Sequence, residues 1–371
     1  MASHPAVIAT NIKEPLTIQQ VPTPELQHYE IRVRIEWVVS APLDVYQVDA
    51  GLMAQFPQSL GDSGVGTVVA AGPGVKRLQV GDRVLGFFFH NEKEKGQQVY
   101  VTAPEHLFGK VPSGISMLAA ATVPTNVSTA YLALTEKLKL ELPWPRPSGF
   151  SPRGPDGPIV IWGGGSSVGQ YAIQLLHHWG YKNVIATASP QHHEKLKVYG
   201  AQHVVDYREP NVVDSILEIV NKSKLSAPVR AVDCVSSKSG SLQHLAKVAS
   251  LPGSIVAAVL PVVLRSPSDP AGVQLSAHVE GEVSWAPGVE VHSIVSYTFE
   301  TNPFLKDHLL PDIIPSLLAS GSLEPNKYRE IEGASLLQRA STALDVMRTG
   351  AVSGERLVWK VWTAEEYPEY S

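Results

Sequence analysis

The segment that most restricts the fold of this chain covers residues 159–170 and reads IVIWGGGSSVGQ. Its four apolar residues predict a buried strand, its glycines and serines predict a tight turn, and the residues from Val168 onward predict a helix. A helix that begins directly after such a turn presents backbone N–H groups and a positive dipole to a bound phosphate. The segment therefore predicts a strand–turn–helix unit that holds the pyrophosphate of a dinucleotide.

The glycine spacing of this turn departs from the usual G-x-G-x-x-G pattern at one position. Gly164 and Gly169 stand at the two ends, and Ser166 replaces the middle glycine. Serine is small and can donate a hydrogen bond to phosphate, so the replacement preserves the chemistry. A turn that only connects a strand to a helix is the alternative interpretation. The predicted cofactor contacts of this segment are Gly164, Gly165, Ser166, Ser167, Val168 and Gly169.

The pattern of predicted strands and helices divides the chain into two parts. Before residue 126, alternating residues and Gly/Pro turns predict a small β-barrel-like domain. A proline-rich insertion, 141–158, predicts a surface loop. After it, strands and helices alternate, which predicts a parallel sheet with helices on both faces. The predicted strands are 158–162, 183–188, 203–207, 229–235 and 253–260, and the helices between them are 168–179, 193–199 and 212–221.

Composition excludes several classes of protein. A net charge of −5 over 371 residues gives no electrostatic reason to expect nucleic acid or an anionic membrane as a partner. The single cysteine, Cys234, excludes intrachain disulfides and a zinc site built on several thiolates. The N-terminal residues lack a signal-peptide pattern, and no apolar stretch is long enough to cross a bilayer. We therefore expect a cytoplasmic protein.

The end of the predicted strand 183–188 bears on the choice of cofactor. NAD-binding folds of this kind place an Asp or Glu here to hold the ribose 2′-hydroxyl, and this chain has Ser189. A 2′-phosphate would meet no repulsion at this position, and Ser189, His192, His193 and Lys195 could donate to it. The sequence therefore favours NADPH over NADH. A solvated helix start is the alternative interpretation of these residues.

Further segments resemble the medium-chain dehydrogenases/reductases. They are LGDSGVGTVV at 60–69, VGDRV at 80–84, AATVP at 120–124, STA at 128–130 and SGERLV at 353–358. They occur in the order of that family and span nearly the whole chain. The resemblance implies an α/β protein with a GroES-like β-barrel catalytic domain and a Rossmann domain with a doubly wound parallel sheet. The implied ranges are 1–126 and 301–371 for the first domain and 127–300, including the loop 141–158, for the second.

The closest resemblance is to fungal zinc-free members, which include trans-acting enoyl reductases of polyketide pathways and ToxD-like proteins. It rests on the proline-rich insertion, WGGGSSVG at 162–169, ASP at 188–190 and VDYR at 205–208. Zinc-dependent relatives carry Gly-His-Glu where this chain has Gly61-Asp62-Ser63, and a cysteine in the segment 39–41. We therefore expect no metal in the active site.

The resemblance also implies the chemistry. Hydride would add to the β-carbon of an enoyl or enone group, and the enolate oxygen would need a hydrogen-bond donor. Zinc-free relatives carry a motif similar to Asn-Pro-x-Asp-x-Tyr in the segment that reads APLDVY at 41–46 in this chain. Asp44 and Tyr46 match the motif, and Ala41 replaces its Asn. Tyr46 would then lie beside the nicotinamide as the candidate catalytic donor. A packed aromatic side chain is the alternative, and the source of the proton stays open.

Other cofactor contacts follow from the same resemblance. Asn126 and Thr129 match positions that line the nicotinamide pocket, with helix capping and packing as the alternative roles. Tyr207 could pack beside the adenosine. Leu260, at the end of a predicted strand, and Ser353, in the closing segment, complete the predicted set.

Three functions stay open at this point. The first is NADPH-dependent reduction of activated C=C bonds in fungal secondary metabolism, where the small-molecule substrate could be a thioester on a carrier protein or synthase. The second is reduction of quinones or carbonyl groups, and the third is NADPH binding without turnover. We expect a monomer or homodimer that binds neither nucleic acid nor membrane.

Overall fold

The structure is a computed structural model that describes residues 2–152, 157–222 and 227–370, with residue 222 described by its backbone alone. In the predicted loop, residues 141–152 and 157–158 contain no helix or strand, and residues 153–156 lie outside the described ranges. A membrane-spanning helix is not found in these ranges, because each helix is too short or too polar.

The strands are named in chain order. Those before the loop are β1 Ser3–Ala9, β2 Thr17–Pro22, β3 Glu30–Ser40, β4 Gln58–Ser59, β5 Ser63–Ala71, β6 Arg83–Phe87, β7 Tyr100–Pro104 and β8 Phe108–Lys110. Those after it are β9 Ile159–Trp162, β10 Val184–Thr187, β11 His203–Val205, β12 Arg230–Asp233, β13 Ile255–Val259, β14 Val262–Arg265, β15 Gln274–Ser276, β16 Glu290–Ile294, β17 Lys327–Glu330 and β18 Glu355–Lys360.

The helices are named in the same way. They are α1 Pro42–Ala50, α2 Met117–Ala121, α3 Pro124–Leu132, α4 Ser167–His178, α5 His193–Val198, α6 Val212–Lys222, α7 Gln243–Val248, α8 Pro303–His308, α9 Ile314–Ala319 and α10 Leu336–Arg348. Short 3₁₀ turns lie at Glu92–Glu94, Glu105–Leu107, Pro190–His192, Ser296–Thr301 and Pro368–Tyr370, and π turns lie at Ala133–Lys137, Lys238–Leu242 and Leu309–Ile313.

The second half of the chain builds a parallel sheet in the order β11-β10-β9-β12-β13-β16. Every neighbouring pair in it is parallel. All four residues of β9 are buried, as a central strand covered on both faces requires. The strand order reverses between β9 and β12, and ligands of such sheets bind at the carboxyl ends of the strands at this reversal. The predicted parallel α/β architecture is confirmed.

The first half builds the barrel-like part, which the end of the chain completes. Its sheet runs β17-β18-β3-β5-β6-β8, with β7 also paired to β3. Strand β18 pairs antiparallel to β3, so that Val358 faces Val39. The closing segment of the chain is thereby held beside the start of α1. Side chains on one face of β3, such as Ile31, Val33 and Ile35, are fully buried.

The predicted strand 203–207 ends earlier, at Val205. The Asp206 carboxylate accepts hydrogen bonds from the backbone N–H of Arg208, at 3.1 Å, and from its guanidinium, at 2.8 Å. This local pairing bends the chain into a turn. As a result Tyr207 is exposed at the edge of the sheet.

A chain of histidines and carboxylates joins the barrel part to the 3₁₀ turn Ser296–Thr301. The His90 ring lies 2.8 Å from Glu94 through Nδ1 and 2.8 Å from Glu300 through Nε2. His106 also bonds to Glu300. The hydrogen bonds to Glu300 and Glu94 raise the pKa of His90 to about 9. The turn that follows β16 is therefore tied to the barrel by charged hydrogen bonds.

We expect this connection to make the stability of the protein depend on pH. The folded-state pKa of His90 lies above its ordinary value of 6.5, so its stabilising effect is complete below pH 6.5 and is lost as the pH rises through about 9. Because the side chain is 34% exposed, we expect a loss of only about 1–2 kcal/mol. Urea unfolding below and above this window measures the loss. His90→Asn should remove it, whereas the surface variant His308→Asn should keep it; an unchanged pH dependence in His90→Asn would contradict the expectation.

Candidate active site

The turn after β9 has the geometry of a phosphate-binding turn. Gly163 adopts a left-handed backbone with φ of 80°. A Cβ atom on Gly169 would lie 2.4 Å from the carbonyl oxygen of Gly163, so only glycine allows α4 to approach the strand this closely. Ser166 is the N-cap of α4, and its hydroxyl oxygen accepts from the N–H of Gly169 at 3.1 Å. The serine that replaced the expected glycine therefore fixes the start of the helix.

This turn fits the pyrophosphate of a dinucleotide. Helix α4 has 12 residues, and its first N–H groups, at Ser167 and Val168, have no acceptor within the helix. These groups and the helix dipole favour an anion at the helix start. A Cβ on Gly165 would lie 3.0 Å from the ring of His192, so the turn is narrow on that side. Ser167 also bonds through its hydroxyl to Asn326, which connects the turn to the barrel part.

His192 brings three distant segments together. Its Nε2 lies 3.0 Å from the hydroxyl of Ser353, and Gly354 packs so closely that a Cβ there would lie 2.4 Å from the ring. The carbonyl of Gly354 accepts from Gln170 of α4 at 3.4 Å. Burial lowers the pKa of His192, with help from Lys195 and His193, so the ring is neutral near pH 7. The predicted contacts Gly165, His192 and Ser353 thus share one place.

The other predicted residues around Ser189 are arranged differently. The Ser189 side chain makes no capping bond at the start of its 3₁₀ turn. His193 bonds through Nε2 to the carbonyl of Ala188 at 3.0 Å. Lys195 lies 3.5 Å from Glu324 and over the ring of Tyr199. Arg208, whose guanidinium pairs with Asp206, also lies at this end of the sheet and was not predicted for the site, although it stands in the segment VDYR at 205–208.

The barrel part contributes the start of α1. Asp44 is buried and accepts from the N–H of Ala41 at 3.0 Å and from the N–H of Gly61 at 3.2 Å. This fixes the helix that carries Tyr46. Among the described residues, the Tyr46 hydroxyl has no hydrogen-bond partner. Burial raises the pKa of Tyr46, so its hydroxyl stays protonated and available as a donor.

Helix α3 meets the turn that follows β16. The Thr129 hydroxyl donates to the carbonyl of Thr125 at 2.7 Å and lies 2.6 Å from the hydroxyl of Ser296. The amide of Asn126 donates to the carbonyl of Thr122 at 3.4 Å. Ser296 was not predicted, because the strand before it, β16, was not among the strands that the sequence pattern indicated. Leu260 lies on the neighbouring strand end, where its N–H donates to the carbonyl of Ile294 at 3.1 Å.

Three ionisable groups of the barrel part, Asp44, Asp62 and Arg356, act on one another electrostatically. Burial, together with the charge of the neighbouring Asp62, raises the pKa of Asp44 to about 7. Burial also raises the pKa of Asp62, which the charge of Arg356 opposes. Arg356 is buried, and its Nε has no hydrogen-bond partner among the described residues. Asp44 and Asp62 were each named from the sequence, but no local pattern shows that Arg356, from the far end of the chain, lies close enough to act on both.

A metal site would need several His, Cys, Asp or Glu side chains close to one another. Within residues 2–152, 157–222 and 227–370, no three or more His, Cys, Asp or Glu side chains form a group that could hold a metal ion. Cys234 is the only cysteine of the chain. The residues present therefore do not fit a zinc ion.

Comparison with known proteins places this geometry in a family. The family described as "Alcohol dehydrogenase GroES-like domain" matches residues 27–127, and the one described as "Zinc-binding dehydrogenase" matches residues 167–258. The word "zinc-binding" belongs to the description of the second family. The described residues of this chain contain no group of three or more side chains that could hold a zinc ion.

Similar proteins cover nearly the whole chain. Trans-enoyl reductase himH of Aspergillus japonicus is 30% identical over 342 residues, which are 91% of each chain. The lovC enoyl reductase component of the lovastatin nonaketide synthase of Aspergillus terreus is 31% identical, over 91% of this chain and 90% of its own. A quinone oxidoreductase of Pseudomonas syringae shares the fold, with a TM-score of 0.71 at 20% identity, over 96% of this chain and 99% of that one. The chain therefore belongs to the medium-chain dehydrogenase/reductase family of nicotinamide-dependent oxidoreductases.

Proposed function

We propose that this protein reduces an activated C=C bond of an enoyl or enone substrate with NADPH and without a metal. The observation that carries the proposal is the Tyr46 hydroxyl, which is protonated and unpartnered among the described residues and lies on a helix fixed by Asp44. The names of himH and lovC, which describe enoyl reductases, support the reaction class. The lovC name also describes a synthase component, which supports a thioester-bound substrate.

Each part of the cleft has a role in this reaction. The start of α4 would hold the pyrophosphate, and Thr129 with Ser296 would lie toward the nicotinamide end, beyond the reversal of strand order. When bound, NADPH supplies the hydride. As negative charge develops on the substrate carbonyl oxygen, the Tyr46 hydroxyl donates a hydrogen bond to it. A donor that is already in place lowers the barrier because it needs no reorganisation.

The preference for NADPH rests on the end of β10. Ser189 stands there in place of a carboxylate, and its hydroxyl makes no capping hydrogen bond to the turn it begins. The nearby carboxylate of Asp206 is held by Arg208 at 2.8 Å and 2.9 Å, so its charge is compensated. Both features favour a 2′-phosphate over a free 2′-hydroxyl.

Ser189→Asp is expected to weaken NADPH binding at least about tenfold, which equals about 1.4 kcal/mol, because the new carboxylate repels the 2′-phosphate. NADH binding should change little or improve. Fluorescence titration with both nucleotides measures the two dissociation constants. Ser268→Asp, which adds the same charge between β14 and β15, serves as the control. Tighter binding of NADH than NADPH by the unaltered protein would refute the preference.

Oxidation of NADPH against a panel of enoyl thioesters, enones, quinones and aldehydes tests the reaction class. We expect enoyl thioesters or enones to give the highest kcat/KM. Faster turnover of quinones or aldehydes would replace the proposed function by the corresponding reductase activity. NADPH binding with no turnover on any substrate would indicate a binding protein.

A further inference from the structure

One face of α4 is attached to the segment 324–326, which comes directly before β17 of the barrel part. Four polar side chains of the helix recur at positions i, i+3, i+4 and i+7, so they lie on the same side of it. They are Ser167, Gln170, Tyr171 and Gln174, and each of them bonds to the segment 324–326. The helix whose start would hold the pyrophosphate is therefore fixed by residues of the barrel part.

Asn326 is the residue of this segment that reaches the first turn of α4. Its side chain is buried, with 2% of the residue exposed. Its Oδ1 accepts from the hydroxyl of Ser167, and its Nδ2 donates to Oε1 of Gln170 at 3.0 Å. Its backbone N–H donates to the hydroxyl of Tyr171, also at 3.0 Å. Both polar atoms of the Asn326 side chain thus have partners, as burial of an amide requires.

Gln170 extends this contact to the turn after β9. Its Nε2 donates to the carbonyl of Gly165 at 2.9 Å and to the carbonyl of Gly354 at 3.4 Å. The oxygen and the nitrogen of an amide group lie on opposite sides, so the bond from Asn326 to Oε1 keeps Nε2 directed at these carbonyls. Gly165 precedes Ser166, the N-cap of α4. A chain of hydrogen bonds therefore runs from Asn326 through Gln170 to the turn.

Gln174 joins the same segment one helical turn further along α4. Its Oε1 accepts from the N–H of Glu324 at 2.7 Å, and its Nε2 donates to the carbonyl of Glu324 at 3.3 Å. Within the described ranges, both bonds go to Glu324 and none goes to the turn after β9. Gln174 and Asn326 are thus both buried amides at this contact, but only Asn326 is connected to the turn.

We propose that Asn326 is a positioning residue for the dinucleotide, because it fixes the turn after β9 in the form that binds the pyrophosphate. The inference rests on the proposed function, which assigns this turn to the pyrophosphate. The Ser167 hydroxyl donates its hydrogen to Asn326, so the backbone N–H groups at the helix start are the donors left for the phosphates. Without Asn326, the Ser167 hydroxyl and the Gln170 amide can rotate. Binding must then order both groups, and this lowers the affinity.

The test measures the dissociation constants of Asn326→Leu, which has nearly the same shape and no polar atom in the side chain. We expect the dissociation constant of NADPH to rise about tenfold, the size of effect typical of one buried hydrogen bond. 2′-Phospho-ADP-ribose has the same pyrophosphate and no nicotinamide, so its dissociation constant should rise by the same factor. Fluorescence titration measures the binding of NADPH, and isothermal titration calorimetry measures that of 2′-phospho-ADP-ribose.

Gln174→Met is the matched control, because Gln174→Met and Asn326→Leu each remove two side-chain hydrogen bonds of the same contact. Both variants should lose a similar part of their resistance to urea, whereas Gln174→Met should bind NADPH as the unaltered protein does. Gln170→Met should weaken NADPH binding as Asn326→Leu does. The double variant of Asn326 and Gln170 should bind no more weakly than either single one, since both changes interrupt one chain of hydrogen bonds.

Binding by Asn326→Leu within about twofold of the unaltered protein would overturn the role of Asn326 and leave the proposed function standing. Equal weakening by Asn326→Leu and Gln174→Met, or losses that add up in the double variant, would do the same. A loss confined to NADPH would place the effect at the nicotinamide and also overturn that role. Should Asn326→Leu fail to fold, Gln170→Met compared with Gln174→Met tests the same chain of bonds. No binding of NADPH by the unaltered protein would overturn both the inference and the proposed function.

Discussion

Gly169→Ala is expected to abolish measurable binding of the dinucleotide and to lower the free energy of unfolding by about 3 kcal/mol. The added Cβ would lie 2.4 Å from the carbonyl oxygen of Gly163 and 2.8 Å from the Cα of Gly164. Both neighbours are backbone atoms of the turn after β9, so the clash cannot be relieved by a side-chain rotation. The start of α4 must then move away from β9, and the N–H groups of Ser167 and Val168 lose their common direction.

Fluorescence titration with NADPH and urea unfolding measure the two effects. Gly281→Ala is the matched control, because a Cβ there meets no atom within 4 Å and its backbone is not left-handed. The control should bind NADPH and unfold as the unaltered protein does. Binding by Gly169→Ala within a few-fold of the unaltered protein would mean that the turn after β9 is not the phosphate site.

Tyr46→Phe is expected to lower kcat by about 10²–10³-fold, the usual effect of removing one donor to a developing oxyanion. Stability should hardly change, because the hydroxyl has no hydrogen-bond partner among the described residues and leaves none unsatisfied. NADPH affinity should also persist. This combination distinguishes a catalytic donor from a packed aromatic ring, whose hydroxyl would not affect the rate.

Steady-state kinetics on the best enoyl substrate, together with urea unfolding, measure the effect of Tyr46→Phe. Tyr29→Phe, at an exposed position, is the control. An unchanged kcat in Tyr46→Phe would remove Tyr46 from the mechanism. A large loss of stability with a proportionate loss of NADPH binding would assign it a structural role instead.

The parts of the protein that the sequence determines are local or periodic. The segment 159–170 contains a complete strand, turn and helix start, so its conformation depends on residues within a few positions of each other. Repeated alternation of strands and helices determines the parallel sheet in the same way, because each unit has its own apolar pattern. The sequence also shows directly that position 189 is a serine and not an acidic residue, because this depends on one position only.

Only the tertiary structure decides which distant residues come together. His192 meets Ser353, Thr129 meets Ser296, and the charge of Arg356 acts on Asp62, across 161, 167 and 294 positions of the chain, as their residue numbers give. Pairing of β18 with β3 and packing of the turn Ser296–Thr301 on the barrel create these contacts. No periodic pattern encodes them, because they depend on how whole elements pack. The turn after β9 is thus determined by local sequence, whereas the bonds of His192 to Ser353 and of Thr129 to Ser296 result from the way the two halves of the chain pack on each other.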